Sequence, residues 1–106
     1  MTPHLKIYTK AFKLDLCDDW QCEACNKMGL LNKGLELHHI QARGMGGTKK
    51  PDRVENLMSL CVDCHKSKGD LKQWKSWLFK VHLKTMEEHG VKFYREWIEE
   101  QIRKND

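Results

Sequence analysis

The sequence predicts an α+β fold: a small zinc-stapled core of two short strands and a helix, with further α-helices on either side. Three observations predict it. Two Cys-x-x-Cys pairs, Cys22/Cys25 and Cys61/Cys64, have the ligand spacing of a closed four-sulfur zinc site. Residues 35–40 alternate like a strand, and apolar residues after Asp70 recur at helical spacing. At 106 residues the chain is read as one domain spanning 1–106 with its core at 20–69. A domain this short buries a limited core, so a metal staple is physically useful.

The elements follow in chain order. Thr2-Pro3 reads as an N-cap with proline at the first helical position, and Leu5, Tyr8, Ala11 and Phe12 continue a helix over 3–14. An irregular segment through Trp20 leads to the first cysteine pair. Leu35-Glu36-Leu37-His38-His39-Ile40 forms the first strand. Residues 42–55, with Gly44, Gly46, Gly47 and Pro51 among Arg43, Lys49, Lys50 and Arg53, form a basic loop. Asn56-Leu57-Met58-Ser59-Leu60 is the second strand. A helix starts at Cys64 and ends at Gly69. Asp70 is placed as the N-cap of a helix over 70–89, with the stripe Leu71, Trp74, Leu78 and Val81. Gly90 punctuates it, and Val91, Tyr94, Trp97, Ile98 and Ile102 mark a last helix over 91–104.

Nineteen lysines and arginines against fifteen acidic residues leave a formal net charge of +4. That balance permits a polyanionic partner without requiring one. The start of the chain has no long apolar run, and no stretch approaches transmembrane length, so a reducing cytoplasmic setting and no membrane association are expected. Reduced paired cysteines read as metal ligands rather than disulfides. Cys17 is the odd one out and is expected to be a small buried apolar residue.

A closed shell of Cys22, Cys25, Cys61 and Cys64 has no position for water or substrate, so its Zn²⁺ is structural. The span between the pairs holds the double histidine His38-His39, and His65 directly follows Cys64. Closing the zinc site therefore gathers His38, His39, Asn56 and His65. Gly44-Met45-Gly46-Gly47-Thr48-Lys49 lacks phosphate-loop spacing, which excludes a nucleotide hydrolase of that type. His4, His82 and His89 fall outside the pattern and are read as ordinary surface or partly buried residues.

His38-His39, then Asn56-Leu57, then Cys61-Val62-Asp63-Cys64-His65-Lys66-Ser67-Lys68 resembles the HNH endonucleases, or ββα-metal nucleases. The likeness covers residues 22–68, with Cys22 and Cys25 as the upstream half of the zinc site found in many members. The whole chain is similar to small free-standing HNH proteins of bacteriophages. The resemblance implies a ββα-metal core and a metal-dependent DNA endonuclease. It implies His39 as general base and His38 and His65 as ligands of a catalytic Mg²⁺, Mn²⁺, Ni²⁺ or Zn²⁺. Asn56 either orients the base or, as in some members, ligates the metal. Where some relatives carry one further histidine, this chain has Gly69. A packaging terminase is the partner that the phage resemblance suggests, in a bacterial host cytoplasm.

The chemistry is consistent with that reading. Phosphodiester hydrolysis requires an activated water, and a histidine takes a proton near neutral pH. One metal ion serves both a non-bridging oxygen and the leaving oxygen. Arg43, Lys49, Lys50, Lys66 and Lys68 are the candidate phosphate contacts. Adjacent strand residues point to opposite faces, so distorted geometry is expected at His39. Two competing functions are a non-catalytic zinc-dependent nucleic-acid-binding module and a zinc-stabilised protein-interaction domain using Trp20, Trp74, Trp77 and Trp97.

Overall fold

The computed structural model describes residues 2–42 and 52–106. Arg43, Lys49 and Lys50 lie outside the described residues. The architecture is α+β, with a four-stranded sheet in the order β1-β2-β3-β4.

Helix α1 (Pro3–Phe12) starts at Thr2 with proline in its first turn and stops at Lys13, whose left-handed φ of 56° closes the C-terminus. It lays Leu5, Tyr8 and Phe12 into the core. β1 (Trp20–Gln21) pairs antiparallel with β2 (Met28–Leu31), Trp20 opposite Gly29. The turn between them carries the first cysteine pair, with the Cys22 N–H on the Lys27 carbonyl and Asn26 at φ 67°. These two strands are too short to leave an alternation signal, and they were not expected.

β2 meets β3 (Gly34–His39) only at its start, in locally parallel register: Leu30 against Gly34 and Leu31 against Leu35. β3 then pairs antiparallel with β4 (Leu57–Cys61) along its whole length, from Leu35 opposite Cys61 to His39 opposite Leu57. Beyond Leu35, therefore, one edge of β3 has no β2 partner. The distortion expected at His39 is absent: the ladder runs regularly through it, and the strand ends there.

β4 is buried at every position, which makes it the centre of the fold. A 3₁₀ turn at Val54–Asn56 precedes it. α2 (Val62–Cys64) follows and passes into a π-helical turn, His65–Gly69, so the helix after the second cysteine pair ends at Gly69. A 3₁₀ turn, Lys72–Trp74, leads into α3 (Lys75–Glu88), and α4 (Arg95–Asn105) ends the chain. Leu78, Phe79 and Met86 of α3 and Ile98 of α4 complete the core.

Several expectations are corrected. Asp70 is no N-cap: it closes the C-terminus of the His65–Gly69 turn, and Leu71 precedes the following 3₁₀ turn. Leu71 is 40% exposed and Tyr94 75% exposed, because each precedes its helix instead of lying on its apolar face. Cys17 is exposed, not buried, in a polar turn with Asp15 and Asp18. His82 is fully buried on α3, facing Glu23.

Glu23 sits inside the first cysteine pair and ties the fold together. Its carboxylate accepts the Tyr8 hydroxyl at 2.6 Å, the Ser59 N–H at 2.8 Å and His82 Nδ1–H at 2.6 Å. The other His82 nitrogen donates to the Val54 carbonyl at 2.6 Å. One buried network thus joins the cysteine turn, α1, β4, α3 and the turn before β4. Among the described residues no helix is long and apolar enough to cross a membrane.

Candidate metal centre and catalytic cleft

The four cysteines converge as expected. Cys22, Cys25, Cys61 and Cys64 bring their sulfurs within 4.8 Å of one another, and Cys25 Sγ lies 3.7 Å from Cys61 Sγ. Tetrahedral zinc with Zn–S bonds of about 2.3 Å separates its sulfurs by roughly 3.8 Å, so the donor set fits that ion. Cys61 also accepts the Cys64 N–H at 3.5 Å, the local bond that shapes this half of the site.

Strand alternation divides the double histidine. His38 points to the face of Glu36, where it meets His65 with ring centroids 4.8 Å apart. His38, His65 and Asp70 form a cluster whose ligand atoms lie within 4.8 Å of one another. His38 is buried, and its Nε2 has no hydrogen-bond partner among the described residues. A buried polar atom left so is costly unless something ligates it. Burial, with the neighbouring His65 ring, pushes the His38 pKa down to about 4, so the imidazole is neutral, the form that binds metal.

His65 Nδ1 faces Glu36 Oε2 at 3.2 Å, and its Nε2 lies 4.0 Å from Asp70 Oδ2. With the Glu36 carboxylate accepting Nδ1–H, Nε2 is the nitrogen available to a cation, the usual carboxylate–histidine arrangement behind a metal ligand. A β-carbon at Gly69 would stand 2.5 Å from His65 Cδ2. A side chain at position 69 would therefore run into the His65 ring, and Asp70 is placed to offer a third donor. This set fits a divalent cation with open positions for water or phosphate.

His39 faces the other side. Its Nε2 lies 2.7 Å from Asp52 Oδ1, and its ring meets His4 at a centroid distance of 5.1 Å. With the carboxylate holding Nε2–H, Nδ1 is the ring's proton-accepting atom. Asn56 turns its carboxamide to the main chain of Gln41. Fully buried, its carboxamide accepts the Gln41 N–H at 2.8 Å and donates to the Gln41 carbonyl at 2.9 Å. Its own carbonyl accepts the Ile40 N–H at 3.0 Å. Asn56 thus fixes the backbone just after His39.

His39 and Asp70, one from each cluster, line a common cleft. This cleft of about 570 Å³ has His39 and Gln41 on one wall and Gly69 and Asp70 on the other, with Lys72, Lys75 and Lys104 at its border. Of the expected phosphate contacts, Lys66 is exposed, while Lys68 lies 5.1 Å over the Trp74 ring. Neither lines this cleft. Lysines from the C-terminal part do, and nothing in their sequence context marks them. Asp70 and Asp52 were likewise invisible beforehand, whereas Glu36 was signalled by its place two residues before His38.

The four tryptophans do not gather at one place: Trp74 and Trp77 meet edge to face with centroids 5.5 Å apart and Trp77 exposed, while the other two pack elsewhere. Trp20 donates to the Tyr8 hydroxyl at 3.1 Å, and Trp97 lies beneath the Arg53 guanidinium at 4.4 Å.

No curated protein and no solved structure matches the chain. The family model described as HNH endonuclease matches residues 22–71, from the first zinc ligand to just past the Gly69–Asp70 wall of the cleft. With the ββ pairing, the four-cysteine cluster and the His38–His65 pair all within that span, residues 22–71 belong to the HNH endonuclease family.

Proposed function

We propose that the protein is a metal-dependent DNA endonuclease that hydrolyses phosphodiester bonds in the cleft at the end of β3. One observation carries the reading. A cleft is lined both by His39 and by Asp70, whose carboxylate belongs to the donor cluster with His38 and His65, and this supports one phosphate reaching both. Two histidines on opposite sides of a strand then serve one substrate without backbone distortion.

In this reading Asp52 keeps His39 in the tautomer whose Nδ1 takes a proton from the attacking water. The imidazole is then an imidazolium beside a carboxylate, which stabilises it. Asn56 holds the backbone at Ile40–Gln41 so that His39 keeps its direction; in this reading it orients the base through the main chain. His38, His65 and Asp70 would hold a divalent cation, which when bound supplies Lewis-acid stabilisation to a phosphate oxygen and to the departing 3′ oxygen. The four cysteines hold structural Zn²⁺. Lys72, Lys75 and Lys104 supply backbone phosphate contacts. As a small nuclease of the phage type, the protein would act in a bacterial host cytoplasm beside a packaging terminase.

Supercoiled-plasmid cleavage tests the reading, with Mg²⁺, Mn²⁺ or Ni²⁺ against EDTA and wild type against His39→Ala. Wild type is expected to cleave with metal and not in EDTA. His39→Ala is expected to lose about 10²–10⁴-fold in rate, the usual contribution of a general base. Equal cleavage by both proteins would remove His39 from the chemistry. DNA binding without cleavage by wild type would leave a non-catalytic nucleic-acid-binding module.

A further inference from the structure

His4, from α1 and outside the HNH segment, completes a second donor cluster on the His39 side of the strand end. The geometry points to a second divalent-cation site formed by His4, His39 and Asp52, which takes a zinc-like ion and, when filled, withdraws the candidate base.

The donor set is two imidazoles and one carboxylate, with ligand atoms all within 4.8 Å of one another. Each comes from a different segment: the first turn of α1, the last residue of β3 and the chain just before the turn that leads into β4. The fold has therefore assembled them in advance. The His4 and His39 rings stand 61° apart with centroids 5.1 Å apart. The Thr2 hydroxyl engages His4 Nε2 at 3.3 Å, and Nδ1 on the other side of the ring is buried. All three residues are partly exposed, and a small turn of the His4 side chain would open its buried Nδ1 to an ion.

The 2.7 Å contact between His39 Nε2 and Asp52 Oδ1 is a shared-proton distance. A tetrahedral zinc ion with bonds of about 2.0–2.1 Å holds neighbouring ligand atoms roughly 3.3–3.4 Å apart. An opening of little more than half an ångström, between two partly exposed side chains, replaces the proton by the metal. Imidazole with carboxylate suits Zn²⁺, Ni²⁺ and Co²⁺, whereas Mg²⁺ prefers oxygen ligands and keeps its waters. Mg²⁺ therefore leaves this site empty, and a borderline metal fills it. The site itself does not depend on the nuclease reading; only its inhibitory consequence rests on that reading.

The test counts zinc. Wild type, His4→Ala, His65→Ala and the double variant, each retaining its tightly held zinc, are dialysed against Zn²⁺ alone and analysed for metal. His4→Ala is expected to bind one zinc fewer than wild type, and His65→Ala independently one fewer at the other cluster. Equal zinc content in wild type and His4→Ala overturns the proposal. Asp52→Asn, which keeps side-chain volume, should weaken the same zinc by at least the roughly 10–100-fold that even outer-shell losses cause; unchanged affinity also overturns it. Plasmid cleavage in fixed Mg²⁺ with rising Zn²⁺ then reads the consequence. His4→Ala should need at least about tenfold more Zn²⁺ for half-inhibition, and an unchanged value overturns the regulatory role. A wild type that cleaves under no condition refutes the nuclease reading, while the zinc count still decides the site.

Discussion

Glu23→Gln removes one negative charge from a fully buried network and changes almost no volume. In the native protein the Glu23 carboxylate accepts Tyr8 O–H, Ser59 N–H and His82 Nδ1–H, and the remaining His82 nitrogen donates to Val54. Both His82 nitrogens face acceptors, so the ring is an imidazolium. Burial works against that charge. The Glu23 carboxylate, its hydrogen bond and the Val54 carbonyl outweigh burial and raise the His82 pKa above its ordinary 6.5. Burial, and then the Glu23 charge, also hold the Tyr8 hydroxyl well above its usual range, so it stays a donor. Breaking a buried pair from one side costs about 3–5 kcal/mol, because the other charge is stranded. Against a total stability of about 5–15 kcal/mol this is a large share. At about 4–8 °C per kcal/mol, Tm should fall by roughly 12–40 °C. The assay is thermal and guanidinium denaturation of the zinc-saturated protein, with Glu23→Gln, His82→Leu and the double variant. The double variant should lose less than the sum of the singles, since no stranded charge remains. A loss below about 1 kcal/mol for Glu23→Gln, or additive losses, would refute the buried ion pair. The pH dependence has a definite sign. A histidine raised in the folded state contributes stability in full below its unfolded pKa of about 6.5 and loses it as pH rises through the folded value. Wild type should show that alkaline loss, and Glu23→Gln should lack it.

Two further outcomes are expected. Gly69→Ala places a β-carbon 2.5 Å from His65 Cδ2, so His65 must turn away; divalent-metal affinity at the His38 cluster should fall by about 10–100-fold while the cysteine-bound zinc is retained, measured by competitive chelation. Asn56→Ala leaves the Gln41 N–H and carbonyl unsatisfied in a buried site; about 2–4 kcal/mol should be lost in denaturation, with a parallel fall in cleavage rate at unchanged metal content.

The cysteine frame was legible because two thiolates two residues apart encode their own turn, and the structure closes them within bonding reach of one ion. The β3–β4 pair was legible from alternation and apolar content. β1 and β2 were not, because strands of two and four residues around a cysteine turn carry no periodic signal. The starts of the last two helices were misplaced for a related reason. Leu71 and Tyr94 continue an apolar spacing in sequence, yet both precede the helix and stay exposed. His82 passed for an ordinary histidine because its partner lies fifty-nine positions away, inside the first cysteine pair.

By itself the sequence determined the four cysteines that cluster, the strand that carries His38 and His39, and the membership of residues 22–71 in the HNH endonuclease family. Those depend on short-range spacing, which a chain displays whether folded or not. Only the tertiary structure decided where the neighbouring histidines go: His38 toward His65 and Asp70, His39 toward Asp52 and His4, with His39 and Asp70 lining one cleft. It alone directed Asn56 to the backbone of Gln41 and brought Lys72, Lys75 and Lys104 to the border of the cleft. The physical reason is that these contacts arise from burial of α1, α3 and α4 against β4 and its neighbouring turn. Long-range packing of that kind leaves no local pattern to read.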